Sequence, residues 1–492
     1  MANSRKRHST DFIERFAAHV APLLPACSSV LIGLSGGVDS VVLLHLLYNL
    51  TPRFSWKLSA LHVHHGISQN ADAWASFCSD LCNHYFVPLH VEYVDVASLR
   101  AHHGLEAAAR KLRYAAFAKQ SCDFVALAHH ADDQAETLLL QLLRGAGTRG
   151  ASAMPLLAAC EKPFPDLVRP LLPYSRQEVI EYAMAHELRW VDDESNTDNS
   201  YPRNFLRHRV MPLLNEKFPA YRSTLARSAE HFAEASKLLD DLAQIDAPDL
   251  FADRVRLNDN DSIFIQSNQL NDLMMQKKKC LKDQYATLEV SYLQSLSHLR
   301  AKNLLRYFLH GIGAPTPQAA QLDVMLQQLC HARQDANVCI RYCCDNWEVR
   351  RYQGKIYVLP KLGDFDRNLI MTWKGEAELD WPPLNVRLHF NSASVSGISL
   401  KKIQHGSLTL RLRHGGETIC PHPKSATRTL KNLLQEQHVP PWQRDRLPLL
   451  YCDEELVSVP GLVIAEKYQT TKEESLIILI AETPTLITPD IA

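Results

Sequence analysis

The sequence predicts an α/β protein: a doubly wound parallel sheet, followed by a helical domain and a small α+β C-terminal domain. Three observations predict it. Apolar runs over Val30 to Leu34, Leu58 to His62, Leu89 to Val94 and Phe124 to Ala128 alternate with helical patterns through the first half. From about Tyr221 to Arg300 the chain turns helical and polar, with Lys277, Lys278 and Lys279 in a row. Between Arg350 and Ser399, short β-like runs such as KIYVLP and NVRLHF mark another change of fold type.

Length and composition agree with this division. The 492 residues suffice for roughly three domains. A hydrophobic content of 46% with 22% charged residues is that of a globular protein. No apolar run is long enough to span a bilayer, and the basic start MANSRKRHST lacks the apolar core of a secretory signal, so a cytoplasmic protein without a membrane partner is expected. The 12 cysteines form no CxxC pair, and Cys78/Cys82 and Cys339/Cys343, spaced by four, read as single helix faces and reduced thiols. With a net charge of −1, any nucleic-acid partner must be met by local basic patches.

The first strand runs into Ser35-Gly36-Gly37-Val38-Asp39-Ser40 and then a helix from Val41 to Leu50. Glycines admit close approach of backbone N–H groups to an anion, Ser35 and Ser40 add hydroxyls, and the helix N-terminus adds partial positive charge. An ordinary strand-to-helix turn would serve as well for the glycines alone. Asp39 beside a phosphate is repulsive unless a cation lies between them, which points to Mg²⁺ bridging a polyphosphate. The loop has no lysine and does not match the GxxxxGK[ST] pattern.

The second strand ends in LHVHHGIS. His64 and His65 point to opposite faces of a strand and cannot easily share one ion, so lining of a nucleotide cleft is the better reading. In the helical stretch Leu105 to Gln120, Glu106, Arg110 and Arg113 share one side, either as a solvated ion-pair face or as an interaction site. The fourth strand leads to His129, His130 and a helix in which Asp132 can cap, while Asp133 and Glu136 lie on the first turn facing the cleft. Thr148 to Pro155 reads as a mobile loop, a clamp or a linker. Arg203, Arg207 and Arg209 read either as a solvated basic helix start or as guanidinium groups suited to phosphate or carboxylate. Near the C-terminal end an amphipathic helix, Thr427 to Gln437, sits among Arg411, Arg413, Lys424, Arg428, Lys431, Arg444 and Arg446, interleaved with Trp442 and Tyr451. That is an RNA-facing surface or a solvated charged face.

Taken in order, SGGVDS, HxHHG, ExxARxxRY, HHxDDQxET, RPLL, WxxDxSN and RNxxR resemble the catalytic half of the tRNA(Ile)-lysidine synthases, within the PP-loop ATP pyrophosphatases. RxRxGGE followed by LKxLxxxxxVPPWxRDRLPLLY is similar to their C-terminal domain. His64 stands where those enzymes carry Asn, and Thr418 where they commonly carry Arg. The resemblance implies an adenine-nucleotide hydrolase-like catalytic domain over 1–218, a helical, tRNA-contacting domain over 219–345, a β-rich linker over 346–406 and a tRNA-binding domain over 407–480. It implies ligation of free L-lysine to the wobble cytidine of tRNA(Ile) with a CAU anticodon through an adenylated intermediate, using ATP and Mg²⁺. A homodimer is compatible with it. Ser35, Gly36, Gly37, Val38, Asp39, Ser40 and His65 would then hold ATP, with Asp39 on the metal. Asp133 and Glu136 would hold the lysine ammonium or a metal, or take its proton, and Arg110, Arg113 and Arg207 would position phosphate or the lysine carboxylate. A tRNA-thiolating relative is disfavoured by the missing CxxC, a decayed ATP fold by the intact acids, and an NAD or GMP synthetase by the basic C-terminal domain.

Overall fold

The computed structural model describes residues 2–96, 105–160, 164–251, 286–333, 338–343, 346–361, 363–384, 386–393, 396–422, 426–470 and 475–482. The chain divides after Leu239 into two compact units. The first holds β1 (Ser29–Gly33), β2 (Lys57–His64), β3 (Leu89–Tyr93), β4 (Phe124–Ala126), β5 (Leu157–Ala158) and β6 (Asp166–Val168) in the order β3-β2-β1-β4-β6-β5. All pairs are parallel except β5 on β6.

Both faces of β1 are buried, which is why its sequence is an unbroken apolar run rather than an alternation. Val30 and Ile32 join Val42, Leu43, Leu46 and Leu47 of the following helix on one face. Leu31 joins Leu61, Phe117, Val125 and Leu127 on the other. Because β2 and β4 flank β1, the chain leaves in opposite directions from its C-terminal end. The segments after β1 and β4 therefore border one crevice, the place where such sheets bind ligands.

The predicted strands stand with ends shifted by a few residues. Thr148–Ala151 is a helical turn, and Ala151 and Ala153 are buried with Leu138 and Ala229, so this stretch is packed rather than a mobile loop. Among the described residues no helix is long and apolar enough to cross a membrane.

The second unit corrects the expected boundaries. Strands Thr287–Glu289, Val338–Tyr342, Trp347–Tyr352 and Lys355–Pro360 form one antiparallel sheet, so a border at 346 separates paired strands: Tyr342 lies opposite Trp347 and Ile356 opposite Leu288. Its core includes Leu304, Phe308 and Met325 from helices His298–Gly311 and Ala319–His331. The stretch 346–406 is not a linker either, because Val386–Ala393 pairs along its length with Ser475–Glu482. Partners so far apart leave no local signature. The C-terminal helix is shorter than expected, Leu430–Glu436, since Arg428–Thr429 pairs with Thr418–Ile419 and the Thr429 hydroxyl caps the helix. Cys339 lies on a strand and Cys343 on the turn after it, not on one helix face, and all ten described cysteines are free thiols. Lys277 to Lys279, Lys424 and the tail beyond 482 lie outside the described residues.

Candidate active site

The loop after β1 is held from below and from the side. Leu34 N–H donates to Leu61 O (2.9 Å), and His62 Nδ1 lies 2.9 Å from Leu34 O. Gly36 has φ +89°, a backbone region that favours glycine, and a Cβ there would stand 2.9 Å from Val191 Cγ2. Val191 N–H donates to Gly36 O at 3.0 Å, so the segment after Trp190 braces the loop apex. That segment is tied in turn to the loop after β2, where the Ser68 hydroxyl donates to Glu194 (2.7 Å).

Inside the loop, hydroxyls stand where an anion would. Gly36 N–H donates to Ser40 Oγ (3.2 Å) and Gly37 N–H to Ser35 Oγ (3.3 Å), while Ser40 Oγ donates to Gly37 O (2.9 Å). The helix Val38–Phe54 has no side-chain cap at Gly37, so its first N–H groups and partial positive charge are open to a phosphate. Asp39 sits in that first turn. Its Oδ1 is buried without a hydrogen-bond partner among the described residues, its Oδ2 lies 3.8 Å from His130 Nε2, and burial pushes its carboxyl above the usual carboxylate range. An orphaned buried carboxylate oxygen beside an anion-binding loop fits a hard cation. Among the described residues no cluster of three or more His, Cys, Asp or Glu is arranged to hold a metal, so the protein offers Asp39, and the remaining positions would fall to phosphate oxygens and water.

The acidic helix, Ala131–Leu143, is capped by His130 rather than by Asp132. His130 Nδ1 accepts from Asp133 N–H (3.3 Å) and Asp133 Oδ2 accepts from His130 N–H (3.0 Å), a capping box with histidine in the serine position. An accepting Nδ1 puts the ring proton on Nε2, the nitrogen toward Asp39. Asp132 instead takes Arg222 Nε (2.5 Å) and Arg176 N–H (2.9 Å), joining three helices.

Asp133 and Glu136 come together as expected, but not alone. Arg203 donates from Nε to Glu136 (2.8 Å) and from Nη2 to Asp133 (2.8 Å). Arg207 donates from Nε to Glu136 (2.7 Å), and its Nη2 reaches Glu136 (2.9 Å) and Asp133 (3.1 Å). Burial alone would raise the Asp133 carboxyl, but His130, Arg203, His129 and Arg207 outweigh it and hold the group far below the usual range. Arg207 is therefore bonded to both acids.

Sequence reasoning read Arg203 only as a guanidinium suited to phosphate or carboxylate, without a place beside the acids, and gave His130 no role. The spacing puts Arg203 and Arg207 on one helix side and Asp133 and Glu136 on another, but nothing local pairs the two sides. Arg207 lies in a π-helical turn, Leu206–Val210, an irregularity frequent at functional positions.

Arg110 and Arg113 lie on the helix Leu105–Ala118, with the Arg110 guanidinium 5.0 Å from the Tyr114 ring centre. His65 has a buried Nδ1 without a partner among the described residues, and burial, assisted by the charge of Arg113, pulls its pKa to about 4. It is a neutral imidazole at neutral pH. His64 instead bonds Asp72 (3.0 Å) and packs on Tyr93. The side chains of Glu106, Ser195 and Asn196 lie outside the described residues.

In the second unit, most of the expected RNA-facing cations are engaged internally. Arg411 pairs with Glu454 (2.8 Å), Arg428 with Glu436 (2.7 Å) and Arg413 with Glu417 (3.4 Å). Arg444 donates to Val439 O and to the Tyr352 hydroxyl.

Three family models match the chain: a PP-loop domain over residues 8–214, a TilS substrate binding domain over 288–357 and a TilS substrate C-terminal domain over 408–480. The tRNA(Ile)-lysidine synthase of Nitrosomonas europaea is 38% identical over 473 residues, covering 96% of each chain. The enzyme of that name from Coxiella burnetii is 36% identical over 455 residues, 92% of each chain, and that from Escherichia coli O157:H7 is 36% identical over 448 residues, covering 89% of this chain and 93% of the relative. With the loop, the acid pair and identity of this extent along nearly the whole length, the chain belongs to the tRNA(Ile)-lysidine synthase family.

Proposed function

We propose that the first unit performs ATP-dependent lysidine formation on tRNA(Ile) in two steps at one cleft, activating the cytidine oxygen on the Asp39 side and delivering lysine from the Asp133–Glu136 side. The observation that carries this reading is the single imidazole between them. His130 Nε2 stands 3.8 Å from Asp39, and its Nδ1 is bonded to Asp133 N–H.

In the first step the base oxygen bonds to the α-phosphorus of ATP and the bond to pyrophosphate breaks. The amides of Gly36 and Gly37, exchanging Ser40 and Ser35 for phosphate oxygens, stabilise the charge that develops, with Val38 and Ser40 at the open helix start. Asp39 would hold Mg²⁺, which when bound offsets the charge of the phosphates and of the departing pyrophosphate. His65, neutral and partly buried, suits the nucleotide rather than a phosphate.

In the second step lysine's free amine bonds to carbon 2 of the base, the carbon–oxygen bond breaks, and AMP leaves. An ammonium must lose its proton before it can attack. Asp133, held so strongly ionised, suits a seat for a cation, and Glu136 beside it is the second carboxylate within reach of the amine's proton. Arg203 and Arg207 satisfy both acids; the lysine ammonium would share this network, with Arg207, in its π-helical turn, placed to meet phosphate or the lysine carboxylate. Arg110, near His129, and Arg113, near His65, would add charge for the phosphates. The partners are thus tRNA(Ile) with a CAU anticodon and free lysine, in the cytoplasm.

The test is incubation of the protein with ATP, labelled lysine and a CAU-anticodon tRNA. Label should enter the tRNA with release of AMP and pyrophosphate; absence of both incorporation and AMP release refutes the reading.

A further inference from the structure

Within the second unit, the C-terminal helix Pro441–Arg444 packs on the sheet that contains Trp347–Tyr352 and Lys355–Pro360. Trp442 is the contact, its ring centre 5.3 Å from Tyr357 and 6.1 Å from Tyr352, with the Arg350 guanidinium 5.1 Å away. The residue is 8% exposed, yet its indole N–H is buried with no acceptor among the described residues. A buried donor left unpaired costs about 1–3 kcal/mol, which favours an added acceptor at this place.

Trp442 lines a cleft of about 350 Å³ whose charge is unbalanced. Arg341, Arg350, Lys361, Arg367 and Arg446 line it against only Glu348, Asp364 and Asp445. Glu348 is shared by Arg341 (3.1 Å) and Arg350 (2.6 Å), and Asp445 accepts from Arg367 (2.7 Å). Arg446 donates to Gly363 O and lies over Phe365. The Lys361 side chain makes no hydrogen bond or ion pair among the described residues. Guanidinium, ammonium and indole N–H groups donate and do not accept. With five cations against three carboxylates, two of them already paired with arginines, such a lining favours an anion.

We propose that this cleft seats one phosphodiester of the tRNA backbone, with Lys361 and Arg367 supplying charge and the Trp442 indole an N–H donor. The contact joins the two parts of the unit, because the cations come from the sheet and the strand exit while the indole comes from the C-terminal helix. It differs from the surface expected around Arg411 and Arg428, neither of which lines this cleft. The inference rests on tRNA being the substrate.

The experiment is tRNA binding by the full chain across a salt series, comparing wild type with Lys361→Gln/Arg367→Gln and with Trp442→Phe. Loss of one phosphate contact should weaken the double variant roughly tenfold near 0.1 M salt and lower the slope of log Kd against log salt by about 1. Trp442→Phe, which keeps the ring packing, should weaken binding several-fold with the slope unchanged, and turnover at saturating tRNA should be preserved in both. An unchanged affinity and slope in the double variant overturns the proposal, and so does weaker binding at an unchanged slope in that variant. Inorganic phosphate serves as a separate probe: saturable quenching of tryptophan fluorescence that is lost in the double variant, while tRNA affinity is unaltered, makes the occupant a free anion and overturns the tRNA assignment. A wild-type protein that binds no tRNA refutes the functional reading itself, whereas equal binding by all three proteins refutes only the cleft.

Discussion

Replacing Glu136 with glutamine removes one charge from a buried network of two acids and two guanidinium groups. The Glu136 side chain is 1% exposed and accepts three N–H donors, from Arg203 Nε, Arg207 Nε and Arg207 Nη2, at 2.7 to 2.9 Å. Glutamine keeps one acceptor but turns an NH₂ group toward a guanidinium, and Asp133 is left to balance both arginines. Breaking a buried ion pair from one side costs about 3–5 kcal/mol, because the partner charge stays buried. Amide hydrogen exchange of the Ala131–Leu143 helix reads this locally. At 1.4 kcal/mol per factor of ten, the amides should exchange roughly a hundred- to several-thousand-fold faster in the variant. Removing Arg207 as well should recover part of the loss, since the excess buried charge goes with it. Acceleration of less than tenfold, or a double variant worse than the sum of the single ones, would refute the claim that Glu136 is held by charge pairing.

Two further outcomes follow from the same geometry. Gly36→Ala must place a side chain at φ +89° and 2.9 Å from Val191 Cγ2, so the loop apex shifts; ATP-dependent AMP release should fall by about a hundredfold with the circular dichroism spectrum unchanged, and wild-type rates would contradict the brace. Stability should also depend on pH through His45, which is bonded to Tyr182 (2.8 Å) and faces the His186 ring 4.9 Å away. Burial, then the His186 charge, pulls its pKa from 6.5 to about 4. The folded form thus favours the neutral ring, its contribution is full above pH 6.5 and is lost as pH falls toward 4, and urea midpoints should decline over that window less steeply in His45→Asn than in wild type.

The crevice was legible in the sequence because its parts are local. Val30 to Leu34 is apolar throughout since both faces of β1 are covered, and the glycines and Asp39 follow at once. Asp133 and Glu136 were placed by helical spacing alone. What joins them was not legible: Arg203 and Arg207 stand far along the chain, and a short basic run reads equally as a solvated helix start until the fold brings it against a buried acid pair. The Val191 brace on Gly36 is invisible for a related reason, being a backbone hydrogen bond that any residue but proline can make. In the second unit, Val386–Ala393 meets Ser475–Glu482 only through long-range pairing, so the stretch before it resembles a linker. The basic C-terminal composition was visible, but charge counting could not tell Arg411, bonded to Glu454, from Lys361, which lines the open cleft. His64, expected to line the nucleotide cleft, is bonded to Asp72, a partner its sequence position does not announce.

The central claim is that activation and lysine delivery occupy two sides of one cleft, and separating the two steps tests it most directly. With CAU-anticodon tRNA and no lysine, ATP–pyrophosphate exchange reports the first step alone. Asp133→Asn, which keeps an acceptor for both arginines, should retain exchange and lose lysine incorporation; Asp39→Ala should lose both while still binding tRNA. Exchange abolished in a folded Asp133→Asn protein, or intact in Asp39→Ala, would contradict the account.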